Sequence, residues 1–92
     1  LRQAAILKDP TSGRILECLT DQPGVQVYTS NFLNGSVGGG DAIYRQSDAV
    51  TFETQHYPDS PNQKTFPTTR LNPGQTFHSR TVFRFGVSTT TR

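Results

Sequence analysis

The chain has 92 residues, of which 32% are hydrophobic, and its nine basic and seven acidic residues leave a net charge of +2. A chain of this length forms one domain or part of one, and no stretch approaches the roughly 18 apolar residues that a membrane helix needs. The basic residues are scattered, so the sequence lacks the electrostatic footprint of nucleic-acid binding. We therefore expect neither a membrane nor a nucleic acid as a partner.

Short apolar or alternating runs between turn residues predict an all-β protein, because no segment has apolar residues at helical spacing. In chain order, the expected strands are residues 3–8, 14–20, 25–30, 42–44, 49–56 and 77–87. The first two should form a hairpin across residues 9–13, which are rich in turn formers. A long loop is expected around Asn34-Gly35 and the glycines at 38–40. The proline-rich residues 57–73 predict a surface loop with a short edge strand.

The last predicted strand shows the clearest alternation. One face carries Phe77, Phe83, Phe85 and Val87. Because residues two apart in a strand share a face, this phenylalanine face is expected to lie in the core. The tail at 88–92 is expected to be a frayed extension.

The start of the sequence and its single cysteine bear on where the protein works. The chain begins at Leu1 without a secretory signal pattern, and we expect it to be a piece of a longer protein. Cys18 has no partner for an internal disulfide, which favours a packing role and a reducing, cytoplasmic location. A secreted protein is the alternative, since Asn34-Gly35-Ser36 matches the glycosylation acceptor pattern. Asn34-Gly35 as a turn is the interpretation we favour.

Two polar residues stand within strand-forming runs: Gln26 between two valines, and Glu53 beside Phe52. A carboxylate in such a run costs free energy unless it is paired or used. If both strands face one concave surface, Glu53 and Gln26 can grip the same ligand. A carboxylate with an amide suits a ligand with many hydroxyls. The alternative interpretation is two solvent-facing residues on an ordinary sheet.

Other candidate residues have simpler interpretations. His56 lies three positions after Glu53, on the opposite face of a regular strand, and is expected to be a polar loop residue. His78, beside Arg80, is expected to be exposed. Two separated histidines and one cysteine do not make a metal site, so we expect no metal. The glycine-rich residues 35–40 lack the ending of a phosphate-binding loop, and no cofactor is expected.

Several segments agree in order and spacing with a known family. They are residues 12–14 (SGR), 20–33 (TDQPGVQVYTSNFL), 53–62 (ETQHYPDSPN), 66–67 (FP), 71–74 (LNPG) and 81–85 (TVFRF). Together they resemble the C-terminal portion of the aldose 1-epimerases, also called galactose mutarotases. The resemblance implies that residues 1–92 are the C-terminal portion of one large antiparallel β-sandwich, the galactose mutarotase-like supersandwich. It also implies that the upstream part of that domain is absent from this chain.

The same resemblance implies an activity, the interconversion of α and β anomers of aldohexoses such as galactose or glucose by acid–base ring opening. Glu53 matches the family's catalytic base, and Gln26 matches a glutamine that touches the sugar. The family's catalytic histidine lies in sequence that this chain lacks. The chain alone is therefore expected to be inactive, with a sugar and the rest of the same sandwich as its partners. The alternative is a non-catalytic carbohydrate-binding or structural domain of the same fold.

Overall fold

A computed structural model describes residues 1–88. Its strands are β1 (Arg2–Lys8), β2 (Arg14–Thr20), β3 (Gly24–Tyr28), β4 (Asn34–Gly39), β5 (Ala42–Arg45), β6 (Thr51–Gln55) and β7 (Thr81–Val87), and a 3-10 helix covers Ser60–Asn62. All pairs are antiparallel, in sheets ordered β1-β2-β7, β3-β6 and β4-β5. The all-β prediction is confirmed. In this part of the chain, no helix has the length and hydropathy that a bilayer crossing needs.

The predicted hairpin of the first two strands is confirmed, and its turn is held by Asp9. The Asp9 carboxylate accepts hydrogen bonds from the Ser12 hydroxyl at 2.7 Å and from the Thr11 backbone N–H at 3.1 Å. These bonds lower the pKa of Asp9, with the Ser12 hydroxyl as the larger cause. Gly13 has φ +78°, and a Cβ there would lie 2.8 Å from the Ser88 carbonyl oxygen. The turn therefore requires glycine at this position.

The prediction that the phenylalanine face of the last strand is buried in a core is wrong for this chain. β7 begins at Thr81, so Phe77 lies outside it. The side chains of Phe77, Phe83, Phe85 and Val87 are 57%, 48%, 77% and 69% exposed. The physical reason is that a sheet buries a face only under a second layer, and residues 1–88 supply none over most of this face.

Burial in the three-stranded sheet is concentrated at one end of β2. Cys18 and Thr20 are fully buried, whereas Leu7 and Phe85, at the other end of the same face, are exposed. The packing role expected of Cys18 is confirmed, and burial raises the pKa of its thiol. The radius of gyration is 17.1 Å, against the roughly 12 Å expected of a compact domain of this length. The fold is therefore open, and its three small sheets bury few side chains.

Two loop predictions also need correction. The glycine-rich residues expected to be a loop form strand β4, which pairs with β5 across a two-residue turn at Gly40-Asp41. The hairpin was not predicted because glycine disfavours strands. Its tight turn is possible because Gly40 adopts a positive φ. The edge strand expected within residues 57–73 is replaced by turns and the 3-10 helix Ser60–Asn62. Of the tail expected at 88–92, residues 89–92 lie outside the described part, and the Ser88 backbone N–H donates to the Gly13 carbonyl oxygen at 2.7 Å.

Candidate functional site

The antiparallel pairing of β3 with β6 brings the two predicted site residues together. Gln26 is the direct partner of Glu53 in the register, flanked by the pairs Val25 with Thr54 and Val27 with Phe52. Directly opposite residues share one face of a sheet, with their Cβ atoms about 4.5–5.5 Å apart. The amide and the carboxylate are therefore neighbours on a single face, although 27 positions separate them in the sequence.

Both side chains of this pair are open to solvent, and they differ in what they contact. Thr51, two residues before Glu53 on the same face, donates its hydroxyl hydrogen bond to Glu53 Oε2 at 3.2 Å. Within residues 1–88 the Gln26 amide has no hydrogen-bond partner. A carboxylate only accepts hydrogen bonds, whereas an amide both donates and accepts. Side by side, the pair can receive a proton-donating hydroxyl and orient a second hydroxyl of the same polyol.

The beginning of β3 is fixed by a close approach of an aromatic ring. A Cβ at Gly24 would lie 3.0 Å from the ring of Tyr57, so glycine at the start of the strand makes room for that ring. Tyr57 in turn meets Phe66 edge-on, with ring centroids 5.1 Å apart. From the sequence, Gly24 was interpreted only as the entry to a strand. The structure shows that it also allows close contact between β3 and the segment that follows β6.

A chain of threonine hydroxyls joins the sheet that carries the polar pair to the three-stranded sheet. Thr54 of β6 and Thr81 of β7 share a hydrogen bond of 2.8 Å, and Thr81 lies 3.3 Å from the hydroxyl of Thr20 on β2. Gln22, only 6% exposed, donates to the Ser79 hydroxyl at 2.7 Å. Sequence reasoning missed these bonds, because nothing in a single sequence signals that distant hydroxyls will meet.

The two histidines lie apart from the polar pair. His56 follows β6 in a bend, half-buried, with its ring centroid 6.3 Å from that of Phe77. His78 is exposed and precedes β7. Both match their predicted interpretations, His56 as a residue outside the strand and His78 as an exposed one. In the described range, no group of three or more possible ligands is arranged to hold a metal ion.

A carboxylate beside an amide is half of an acid–base site for a polyhydroxylated ligand. Glu53 can take a proton, and Gln26 can hold a hydroxyl, but this face of residues 1–88 carries no histidine and no second carboxyl group. General acid–base chemistry needs both partners within hydrogen-bond reach of the substrate. A histidine or carboxylic acid that gives the proton would therefore come from outside the described residues.

Comparison with known proteins identifies the family of the chain. A family model described as aldose 1-epimerase matches residues 1–84. Mouse galactose mutarotase is 46% identical over 85 residues, and human galactose mutarotase is 46% identical over 78 residues. The aldose 1-epimerase of Escherichia coli strain K12 is 33% identical over 72 residues. The chain belongs to the aldose 1-epimerase family.

The matches also show how much of a family member is present. The alignments cover 91%, 84% and 76% of this chain with the mouse, human and E. coli proteins, respectively. They cover only 25%, 23% and 21% of those relatives. The chain thus spans about a quarter of the length of the curated relatives it matches, so most of the family's domain lies outside these 92 residues.

Proposed function

We propose that the complete protein to which this chain belongs is an aldose 1-epimerase acting on aldohexoses such as galactose or glucose. Glu53 is its general base, and Gln26 is an amide that binds the sugar. The observation that supports this most directly is the pairing of Gln26 with Glu53 on one open face, in a chain matched by the family model over residues 1–84. These are the two positions that the resemblance assigns to the sugar site.

In the proposed reaction, Glu53 takes the proton from the anomeric hydroxyl while an acid protonates the ring oxygen. The bond between the anomeric carbon and the ring oxygen breaks, which gives an open-chain aldehyde. Rotation about the bond to the carbonyl carbon, and closure with both proton transfers reversed, produces the other anomer. The Thr51 hydroxyl bonded to one oxygen of Glu53 orients the carboxylate.

The acid comes from the rest of the family's domain, and this chain alone is inactive in the proposal. The placement of residues 1–92 at the C-terminal end of the sandwich stays a prediction. The complete reading frame tests it: the remaining coding sequence is expected upstream of Leu1, and a frame with that sequence downstream of Arg92 would contradict the placement. The cytoplasmic location is likewise a proposal, which fractionation of cells that express the tagged complete protein would test.

Glu53→Gln in the complete protein is the sharpest test. The amide keeps the shape of the side chain but cannot accept the anomeric proton, and loss of a general base commonly lowers the rate by ~10²- to 10⁴-fold. We expect kcat to fall within that range and KM to change little. The measurement is polarimetry on fresh α-D-galactose and α-D-glucose, corrected for spontaneous mutarotation.

Glu17→Gln is the matched control for this substitution. Glu17 lies on β2, where its carboxylate meets Arg84 at 3.2 Å, and it has no place in the proposed chemistry. The control variant should keep kcat within about twofold, since Glu17 and its ion pair with Arg84 lie in the three-stranded sheet and not in the β3-β6 sheet that carries the polar pair. If Glu53→Gln kept the wild-type kcat, the base would lie elsewhere and the assignment would be wrong.

Gln26→Ala should give the opposite kinetic pattern. The amide holds hydroxyls in both the ground state and the transition state, so its loss should raise KM more than it lowers kcat. Gln46→Ala, which removes an exposed amide from the turn after β5, is the control and should leave both constants unchanged. If the complete protein bound sugars but never accelerated their mutarotation, the enzyme hypothesis would be wrong. The alternative of a non-catalytic carbohydrate-binding domain would then replace it.

A further inference from the structure

The segment after β6 forms an open surface cavity that has no part in the proposed acid–base chemistry. Its volume is about 430 Å³, within the range of roughly 300–1,000 Å³ that small-molecule sites occupy. Its lining combines two cationic side chains, three hydroxyls and one aromatic ring. These are Lys64, Arg70, Ser60, Thr68, Thr69 and Phe66.

The charge of this lining is one-sided. Lys64 and Arg70 contribute two positive charges, and none of the described residues that line the cavity carries a carboxylate. Within residues 1–88 neither cation forms an ion pair, whereas Arg45 pairs with Asp48 and Arg84 pairs with Glu17. Two uncompensated cations at one cavity create a local positive potential that attracts anions.

The acidic residue closest in sequence is already engaged. Asp59 accepts hydrogen bonds from the Asn62 amide at 2.6 Å and from the Gln63 amide at 2.8 Å, one on each oxygen. The Asn62 bond, followed by the Gln63 bond, lowers the pKa of Asp59. Because both of its oxygens accept from these amides, Asp59 braces the segment and forms no ion pair with Lys64 or Arg70.

The walls of the cavity are held in place by contacts within the same segment. Phe66 packs edge-on against Tyr57, and the Ser60 hydroxyl donates to the Tyr57 carbonyl oxygen. The Arg70 backbone N–H donates to the Thr68 hydroxyl at 3.1 Å. The Arg70 Nε–H donates to Asn72 Oδ1 at 2.8 Å, which orients the guanidinium and leaves its terminal nitrogens as donors. A site ordered before binding loses less entropy when a ligand enters.

We propose that this cavity binds a small phosphorylated molecule, with the phosphate between Lys64 and Arg70 and the carbon skeleton against Phe66. Arginine offers a planar fork of donors that matches phosphate oxygens, and lysine adds a compact charge. Hydroxyls such as that of Thr69 add further hydrogen bonds to phosphate oxygens. The site is separate from the pair formed by Gln26 and Glu53, and the inference does not depend on the proposed epimerase activity.

The test is isothermal titration calorimetry on the complete protein with inorganic phosphate, glycerol 3-phosphate and glycerol. We expect both phosphates to bind and glycerol to give no signal at the same concentrations. Tighter binding of glycerol 3-phosphate than of inorganic phosphate supports a phosphate ester as the ligand. Equal or tighter binding of inorganic phosphate would overturn the proposed place of the carbon skeleton against Phe66 and leave a site for free phosphate. No phosphate binding at millimolar concentration, or glycerol binding as well as its phosphate, would overturn the proposal.

Charge-neutralising variants locate the binding. Lys64→Gln/Arg70→Gln should weaken glycerol 3-phosphate binding by at least about tenfold, because each loss removes a charge-assisted hydrogen bond. Lys8→Gln/Arg80→Gln makes the same change in net charge at two exposed positions elsewhere and should leave the affinity within twofold. Lys64→Gln alone changes one exposed side chain and should cause an intermediate loss. Equal losses in the two double variants would mean non-specific attraction, and the proposal would fall.

Discussion

The three-stranded sheet and the β3-β6 sheet differ in what they leave exposed. The first carries a face of large apolar side chains, and Phe85 on that face is 77% exposed. The second exposes a carboxylate beside an amide, Glu53 and Gln26, on one face of only two strands. An open apolar face needs another layer of protein, whereas an open polar pair can meet a ligand. The contrast separates the surface that needs a further layer of protein from the surface to which we assign the proposed chemistry.

The two sheets also depend on each other unequally. A two-stranded sheet is marginally stable by itself in water. The β3-β6 sheet is held to the larger one through the Thr54–Thr81 hydrogen bond and through the residues that connect them, where the Arg80 N–H donates to Asp21 at 3.0 Å. The geometry of the polar pair therefore depends on the stability of the apolar sheet.

The largest expected effect comes from separating this chain from the rest of the domain. Residues 1–92 alone should show no cooperative thermal transition and should bind a hydrophobic dye strongly, because Phe83, Phe85 and Val87 face water and sheet edges are unpaired. The complete protein should melt cooperatively with little dye binding. Dye fluorescence and a calorimetric melt of both samples make the comparison.

One outcome would contradict the conclusion that the apolar face of the three-stranded sheet needs another layer of protein. If the isolated 92 residues were monomeric, melted sharply and gave dispersed amide signals, the apolar face would need no further layer. The three-stranded sheet would then be a self-sufficient unit.

A smaller effect is expected from cutting the link between the sheets. Thr54→Val in the complete protein keeps the shape of the side chain and removes its hydrogen bond to Thr81, which should lower the free energy of unfolding by about 1 kcal/mol. Thr65→Val, at an exposed turn position, is the matched control and should change it by less than about 0.5 kcal/mol. Urea denaturation measures both. Equal values for the two variants would show that the hydroxyl chain does not join the sheets.

Much of the fold could be predicted from residue patterns, and the errors have physical causes. The hairpin of residues 3–8 and 14–20 was predicted because the turn residues from Asp9 to Gly13 leave little choice of conformation. Strand β4 was missed because five of its six residues are glycine, asparagine or serine, which disfavour strands. The phenylalanine face was predicted correctly as an apolar face and wrongly as a buried one, since alternation indicates which residues share a face and not what covers it.

The candidate site was also predicted only in part from the sequence. Gln26 and Glu53 were singled out because polar residues inside apolar strands are conspicuous, and the resemblance gave them proposed roles. Their direct pairing across β3 and β6 could not be read from the sequence, because register depends on where the two strands meet. The cavity of Lys64 and Arg70 was also missed, since its lining is an irregular segment without periodicity.

The sequence by itself determined the all-β class, most strand positions and the aldose 1-epimerase family, because these depend on local propensity and on long ordered motifs. The tertiary structure decided which strands pair, which apolar face stays open and which distant side chains meet. Such features depend on contacts between residues far apart in the chain, as between Thr54 and Thr81 or Gln26 and Glu53. Local residue preferences carry no record of them.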